Sequence, residues 1–190
     1  MNIKTLLFLT IFGMLATGYV TTDTPQKNKF ADKTVKKDQA KPFDGDKIVQ
    51  IGIVVDDVEK YAQKYAHFFG VETPKVIISE KLDKAKTHYH GKPTKARVKQ
   101  AFFHFDNITI EVLEPMGGPS TWSDYLENHG SGVHHIAFQV KGMDQRIEEM
   151  ENRGADLIQQ GQWTGGSGGR YAYFDSNNQL AVILELLENF

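Results

Sequence analysis

The chain has no cysteine among its 190 residues. That absence removes disulfide stapling, thiolate nucleophiles, Cys-ligated zinc and iron–sulfur clusters, so a metal site here must be built from histidine, carboxylates, amides and water. An excess of one charge is lacking too. The 22 Lys and Arg face 24 Asp and Glu, a formal net charge of −2, which leaves no strongly basic face of the kind a nucleic-acid binder presents. The apolar run Thr5–Gly18 falls short of the roughly 20 residues that a membrane-spanning helix takes. No cysteine follows it, which excludes a bacterial lipoprotein anchor.

What is present divides the chain into three parts. Met1–Lys4 carries a positive charge, the apolar run follows, and Ala16, Thr17 and Gly18 offer small residues for a signal peptidase. Residues 1–18 therefore read as a cleaved secretory signal and the protein as exported, periplasmic or secreted; an uncleaved N-terminal anchor is the alternative. Residues 19–45 are polar and rich in lysine, with Lys27, Lys29, Lys33, Lys36, Lys37 and Lys41. Such a stretch buries too little apolar surface to offset its ordering entropy and reads as a disordered linker. Residues 46–190 hold the folded domain, and the 40% hydrophobic content is ample for its core.

Within that domain one pattern occurs twice. Ile48–Val55 reads as a buried strand and Val58–Phe69 as a helix stopped by Gly70, its apolar face marked by Val58, Tyr61, Ala62, Tyr65, Phe68 and Phe69. A hairpin around Asp106 and Asn107 joins Ala101–Phe105 to Ile108–Leu113. The second copy runs Val133–Val140, a helix Met143–Arg153, a strand Leu157–Gln160, then a hairpin joining Tyr171–Phe174 to Leu180–Leu187. The first copy is longer, and the charged stretch Lys81–Lys99 accounts for the excess as an insertion. Two such units, about 47–115 and 132–188, are each too small to bury a sheet face alone and should pair about a pseudo-twofold axis.

That symmetry carries a chemical expectation. Gln50 and His135 interrupt the first apolar strand of each copy at matching places, and Glu111 and Glu185 interrupt the last. A carboxylate inside a run such as Ala181-Val-Ile-Leu-Glu-Leu-Leu187 is costly to bury unless paired or metal-bound. Convergence of the four on one cavity would suit a single divalent ion, Zn, Ni, Co, Mn or Fe. Glu114 and Glu188, three residues further on, read as solvent-facing. His134 should alternate to the face opposite His135, and His88 and His90 should sit in a solvated loop. Gly165–Gly169 reads as a lid over the site, and Arg170 as the side chain that holds an anionic substrate group. Trp122 and Tyr125, between the copies, close the cavity or pack against it.

The segments Gln50–Val58, Ile110–Pro115, Gly132–Val140 and Leu184–Glu188 resemble the vicinal-oxygen-chelate superfamily (glyoxalase, bleomycin resistance, dioxygenase), nearest the methylmalonyl-CoA epimerase and glyoxalase I (lactoylglutathione lyase) branches. The likeness spans residues 47 to 188, and Gly132-Val-His-His-Ile-Ala-Phe138 is its most specific piece. It implies an α+β fold in which paired βαβββ modules form a cupped mixed sheet around one divalent metal, with Gln50, Glu111, His135 and Glu185 as ligands. It also implies a lyase, isomerase or epimerase in which a metal-chelated carbonyl loses a neighbouring proton to a carboxylate. Glu185 would be the base and Glu111 its pseudo-symmetric alternative, while Gln50, being neutral, cannot take a proton. The epimerase branch usually has histidine at the first position, and glutamine there is similar to some glyoxalases. With one histidine in the set, an extradiol oxygenase fits poorly. The partner expected is a small molecule, with no nucleic acid; a homodimer is compatible with the resemblance. A non-catalytic small-molecule (antibiotic-type) binding protein on the same fold is the competing function. Export sets the expectation that coenzyme A and glutathione substrates, being cytoplasmic, are not the ones used.

Overall fold

In this computed structural model residues 47–190 are described, and the signal and linker expected over 1–45 lie outside the described residues. The first unit opens with β1 (Ile48–Val54) and α1 (Val58–Phe69). Asp57 caps the helix by accepting the Lys60 N–H at 2.9 Å, and Gly70 ends it at φ 68°, in the left-handed region that glycine tolerates. Val58, Ala62 and Ala66 form the buried face. Phe68, expected on that face, is 88% exposed. It lies two residues past Ala66, about 200° round the helix.

The chain continues through β2 (Ile77–Ile78), α2 (Leu82–Ala85), β3 (His88–Tyr89), β4 (Lys92–Pro93), β5 (Arg97–His104) and β6 (Thr109–Met116). A linking helix, α3 (Thr121–His129), has no periodic signal in the sequence and is started by a Ser120 capping box. The second unit is β7 (Gly132–Gln139), α4 (Met143–Glu151), β8 (Asp156–Trp163), β9 (Gly169–Asp175), a short α5 (Asn177–Leu180) and β10 (Ile183–Asn189). Among the described residues no helix is long and apolar enough to cross a membrane.

All ten strands form one sheet in the order β2-β5-β6-β1-β7-β10-β9-β8-β3-β4. The units are mirrored in that order: β2-β5-β6-β1 on one side and β7-β10-β9-β8 on the other. They meet where β1 runs antiparallel to β7, while β1 with β6 and β7 with β10 pair in parallel. This is the α+β fold of paired βαβββ modules, a curled mixed sheet with helices. Matching residues pack the two outer helices. Ala101, Phe103 and Val112 lie against α1, and Ala172, Phe174 and Leu186 against α4. A third cluster, with Val54, Val98, Leu113, Trp122, Tyr173 and Ile183, includes residues that floor the cavity.

The insertion is more ordered than a charged loop. It leaves β2 at one edge of the sheet and, after α2, reaches the other edge, where His88 and Tyr89 pair with Gln160 and Gln159 of β8. The sheet's two edges are therefore tied by one short strap. His88 and His90 belong to this strap: the Nδ1 of His88 lies 2.7 Å from the Lys86 carbonyl, and the His90 N–H donates to the Ile158 carbonyl at 2.8 Å.

Candidate metal centre and its cavity

Strand register alone brings the four expected ligands together. Gly52 of β1 lies between Glu111 of β6 and His135 of β7, and Ala137 of β7 lies between Gln50 of β1 and Glu185 of β10. Directly paired residues point to the same face of a sheet. Two symmetry-related rows, Glu111·Gly52·His135 and Glu185·Ala137·Gln50, thus put four polar side chains on one face around two very small ones. The small residues make the room. A Cβ on Gly52 would lie 1.9–2.4 Å from the His135 ring atoms, so the ring occupies the space that glycine leaves.

The donor atoms converge. His135 Nε2 is 3.1 Å from Glu185 Oε2, 3.6 Å from Glu111 Oε2 and 3.5 Å from Gln50 Nε2. Glu111 is clamped from two sides, its Oε2 accepting from Gln50 Nε2 at 2.5 Å and its Oε1 from Gln100 Nε2 at 2.5 Å. Glu185 has no such clamp. Its Oε2 is buried, meets no hydrogen-bond donor in good geometry, and faces His135 Nε2 at 3.1 Å as an ion-pair partner.

Burial and charge act in opposite senses here. Burial disfavours a charge on His135, yet the Glu185 and Glu111 carboxylates outweigh it and raise the imidazole to about 9. Burial raises the Glu111 carboxyl above its usual range, against the pull of His135. Burial holds His134 neutral, well below the ordinary histidine value.

His134 departs from simple alternation. Between the pairs Gly52–His135 and Ile53–Val133 the β1–β7 register slips by one residue, a bulge that leaves His134 as the extra residue. It is fully buried rather than solvent-facing, its Nδ1 2.8 Å from His135 Nδ1 and its Nε2 3.1 Å from Thr121 Oγ1. With His135 charged and His134 neutral, the proton order is set: His135 Nδ1–H donates to His134, whose Nε2–H donates to Thr121. The same order leaves Nε2 as the nitrogen of His135 that faces the two carboxylates.

The site opens into a cavity of about 520 Å³. Val98 and Trp122 lie at its floor, and Tyr171 and Tyr173 of β9 line it by strand alternation. The Trp122 indole N–H donates to the Tyr173 hydroxyl at 3.3 Å. Burial raises the Tyr173 phenol well above its ordinary value, so that hydroxyl stays neutral. Glu80, after β2, accepts from Thr164 Oγ1 at 2.6 Å, joining the strap to the end of β8 across the cavity wall.

A family model for the Glyoxalase/Bleomycin resistance protein/Dioxygenase superfamily matches residues 49–174. The chain belongs to this superfamily. An ethylmalonyl-CoA/methylmalonyl-CoA epimerase of Cereibacter sphaeroides is 27% identical over 125 residues, 65% of this chain and 83% of that protein. An uncharacterized Bacillus subtilis protein, YqjC, is 28% identical over 92 residues, 48% of this chain and 66%, just under two thirds, of its own length. Among solved structures, a hypothetical protein from Bacillus halodurans C-125 superposes with a TM-score of 0.54 at 24% identity, covering 76% of this chain and 94% of that one. The methylmalonyl-CoA epimerase from Mycobacterium tuberculosis does so with a TM-score of 0.54 at 17% identity, covering 76% and 88%. At these identities the structural likeness is one of fold.

On this glyoxalase-like sheet two expectations need correction. Arg170 alternates with Tyr171 and lies away from the cavity, its Nε on Glu188 at 2.7 Å and its NH1 on Asp144 at 2.8 Å. It is an ion-pair residue of the helix-bearing face and not an anchor for a substrate anion. Glu188 and Glu114 are not merely solvated. Glu188 accepts from the N–H groups of Gly142 and Met143 at the start of α4, and Glu114 accepts from Val58 N–H at the start of α1. Each faces a cross-strand cation, Arg170 and Lys99 respectively. Asp57, Glu59 and Glu114 form a surface carboxylate cluster, but Lys99 bridges Glu59 and Glu114, and Asp57 serves as the helix cap. Of the residues between the units, Trp122 lines the cavity and Tyr125 packs behind it against His134.

Sequence reasoning missed Gln100, Glu80, His134 and the paired tyrosines. The alternation Tyr171-Ala-Tyr173 was the one visible signal, since residues two apart share a strand face.

Proposed function

We propose that this glyoxalase-like chain is a metal-dependent isomerase, epimerase or lyase that removes a proton beside a carbonyl group, with Glu185 as the base. One observation carries the reading: a carboxylate oxygen of Glu185, buried in an apolar strand beside the cavity, has the His135 ring charge as its one partner among the described residues. Such a buried carboxylate is costly unless a proton or a cation comes to it.

Gln50, Glu111, His135 and Glu185 would hold one divalent ion. Donor separations of 3.1–3.6 Å around His135 suit neighbouring ligands at bond lengths of about 2.0–2.2 Å. Gln50 presents its NH₂ end here, and a half-turn of the amide would present its oxygen instead. A bound ion polarises a carbonyl and stabilises the charge that develops on its oxygen. Glu185 would take and return the proton, lacking the amide clamp that grips Glu111. Glu111, gripped by Gln50 and Gln100, holds its place. His134 fixes the orientation of His135. The epimerase relatives support reaction by proton transfer next to a carbonyl, and the signal-like N-terminus supports action outside the cytoplasm.

The test is metal content by elemental mass spectrometry on protein purified without a His tag, followed by proton exchange into α-hydroxy ketones and thioesters in deuterium oxide. About one equivalent of metal, lost in His135→Ala, with exchange lost in Glu185→Gln, is the expected result. A protein that stays metal-free after incubation with Zn²⁺, Ni²⁺, Co²⁺ and Mn²⁺ overturns the enzyme reading. A small-molecule binding protein is then favoured by the cavity's size and aromatic walls. Mass analysis of the exported protein, expected to begin near residue 19, tests the location.

A further inference from the structure

The chemistry of the cavity wall points to a class of substrate. Of the described residues that line it, none is Lys or Arg, while three are carboxylates: Glu80, Glu111 and Glu185. The cations nearest to these elements are committed elsewhere. Arg170 is held by Glu188 and Asp144 on the helix-bearing face, Lys99 by Glu114 and Glu59, and Arg97 donates to the Ser79 carbonyl. Lys84 Nζ lies 3.7 Å from Glu80 Oε2 in an exposed ion pair, so Glu80 holds this cation to itself. If Gln50, Glu111, His135 and Glu185 hold a divalent ion, the two carboxylates balance its charge, and the Glu80–Lys84 pair leaves the cavity with no surplus positive charge. A carboxylate on the ion would be neutralised there, but an anionic group on the rest of the ligand, lying against the wall, would find no cationic side chain among the described lining residues.

What the wall does offer is apolar and flat. Phe102, Trp122, Trp163, Tyr171 and Tyr173 surround the space with Val98, Ile77 and Ile78. Gln100, Gln139, Gln162 and Asn189 add neutral amides able to bind hydroxyl and carbonyl groups. We propose that the substrate is an oxygenated aromatic ketone with no charged group beyond its metal-binding end, rather than an acyl-coenzyme A. The reacting end, a carbonyl with an oxygen on the neighbouring carbon, rests on the reading of the site above; the exclusion of anionic groups beyond that end rests on the wall.

Both tryptophans of the chain line this cavity, so intrinsic fluorescence reports occupancy without any turnover. The experiment titrates metal-loaded full-length protein with 2-hydroxyacetophenone and with 4-(2-hydroxyacetyl)benzoate, which carry the same hydroxyketone and differ in a carboxylate at the far end of the ring, and with acetyl-coenzyme A. Saturable quenching by 2-hydroxyacetophenone, at least roughly tenfold tighter than by 4-(2-hydroxyacetyl)benzoate or acetyl-coenzyme A, is expected. Gln162→Arg should raise the affinity for 4-(2-hydroxyacetyl)benzoate about tenfold by supplying the missing cation. Equal or tighter binding of either anion overturns the inference, as does the absence of saturable quenching by 2-hydroxyacetophenone. Metal content and proton exchange on the same samples keep the two claims apart. Metal and exchange with a preference for anions would sink only the substrate class, whereas the neutral preference without metal or exchange would sink only the enzyme.

Discussion

Glu111 and Glu185 occupy matching places in the two modules, yet their surroundings differ. Glu111 is gripped by Gln50 and Gln100, and Glu185 has no such clamp. The cause is a difference one strand away. Gln100 pairs with Leu113 on β6, and at the matching position, opposite Leu187 on β10, the second module has Tyr171. On the other face the modules stay alike: Glu114 and Glu188 each receive a helix N-terminus and each face a cross-strand cation. A duplicated unit has thus kept its symmetry where it docks helices and lost it where proton chemistry would occur.

The largest effect expected on this asymmetry is at the base. Glu185→Gln should slow proton exchange by about 10²–10⁴-fold, read by deuterium incorporation; an equal loss in Gln100→Leu, which loosens only Glu111, would break the comparison. Gly52→Ala should come next, because a Cβ there overlaps the His135 ring. A cost of about 1–3 kcal/mol in denaturant unfolding is expected, with loss of bound metal. Ala137→Gly, in the matching row, should keep the metal. His134→Phe should weaken metal binding by roughly 10–100-fold, measured by competition with a chelator, while circular dichroism stays unchanged.

Smaller effects should fall on the symmetric face. Glu114→Gln and Glu188→Gln replace a charged acceptor by a neutral one at two helix starts and should each cost about 0.3–1 kcal/mol without changing metal content. A large inequality between them would show that the outer face has diverged as well. The metal-stripped protein should lose stability as pH rises. His135 sits at about 9 in the folded state against an ordinary value of about 6.5. Its stabilisation is therefore complete below the lower value and lost as pH climbs through the upper one. Thermal unfolding in chelator between about pH 6 and pH 9.5 measures this, and metal-loaded protein should show a flatter profile because the ion replaces the proton.

The repeat made much of this legible from residues alone. Gln50 and His135 sit at one place in the repeated pattern and Glu111 and Glu185 at another, and a strand's period of two keeps that phase when the strands pair. Local pattern also marked α1, since Asp57 and Gly70 bound an amphipathic run. Arg170 misled because the turn-rich stretch before it looked like a lid, whereas phase along β9 turns it to the helix side.

The amino-acid sequence by itself determined the duplicated fold, the composition of the donor set and the exclusion of cysteine chemistry. Only tertiary structure decided which acid is clamped and which is not, that a bulge turns His134 onto His135, and that the strap joins both sheet edges. Those outcomes depend on which strands become neighbours and in what register, and no local propensity encodes a pairing across the chain. The absence of basic side chains from the described cavity wall has the same origin: strand phase and cross-strand pairing take Lys99 and Arg170 to acids on the helix-bearing face, and Arg97 is tied to the Ser79 carbonyl.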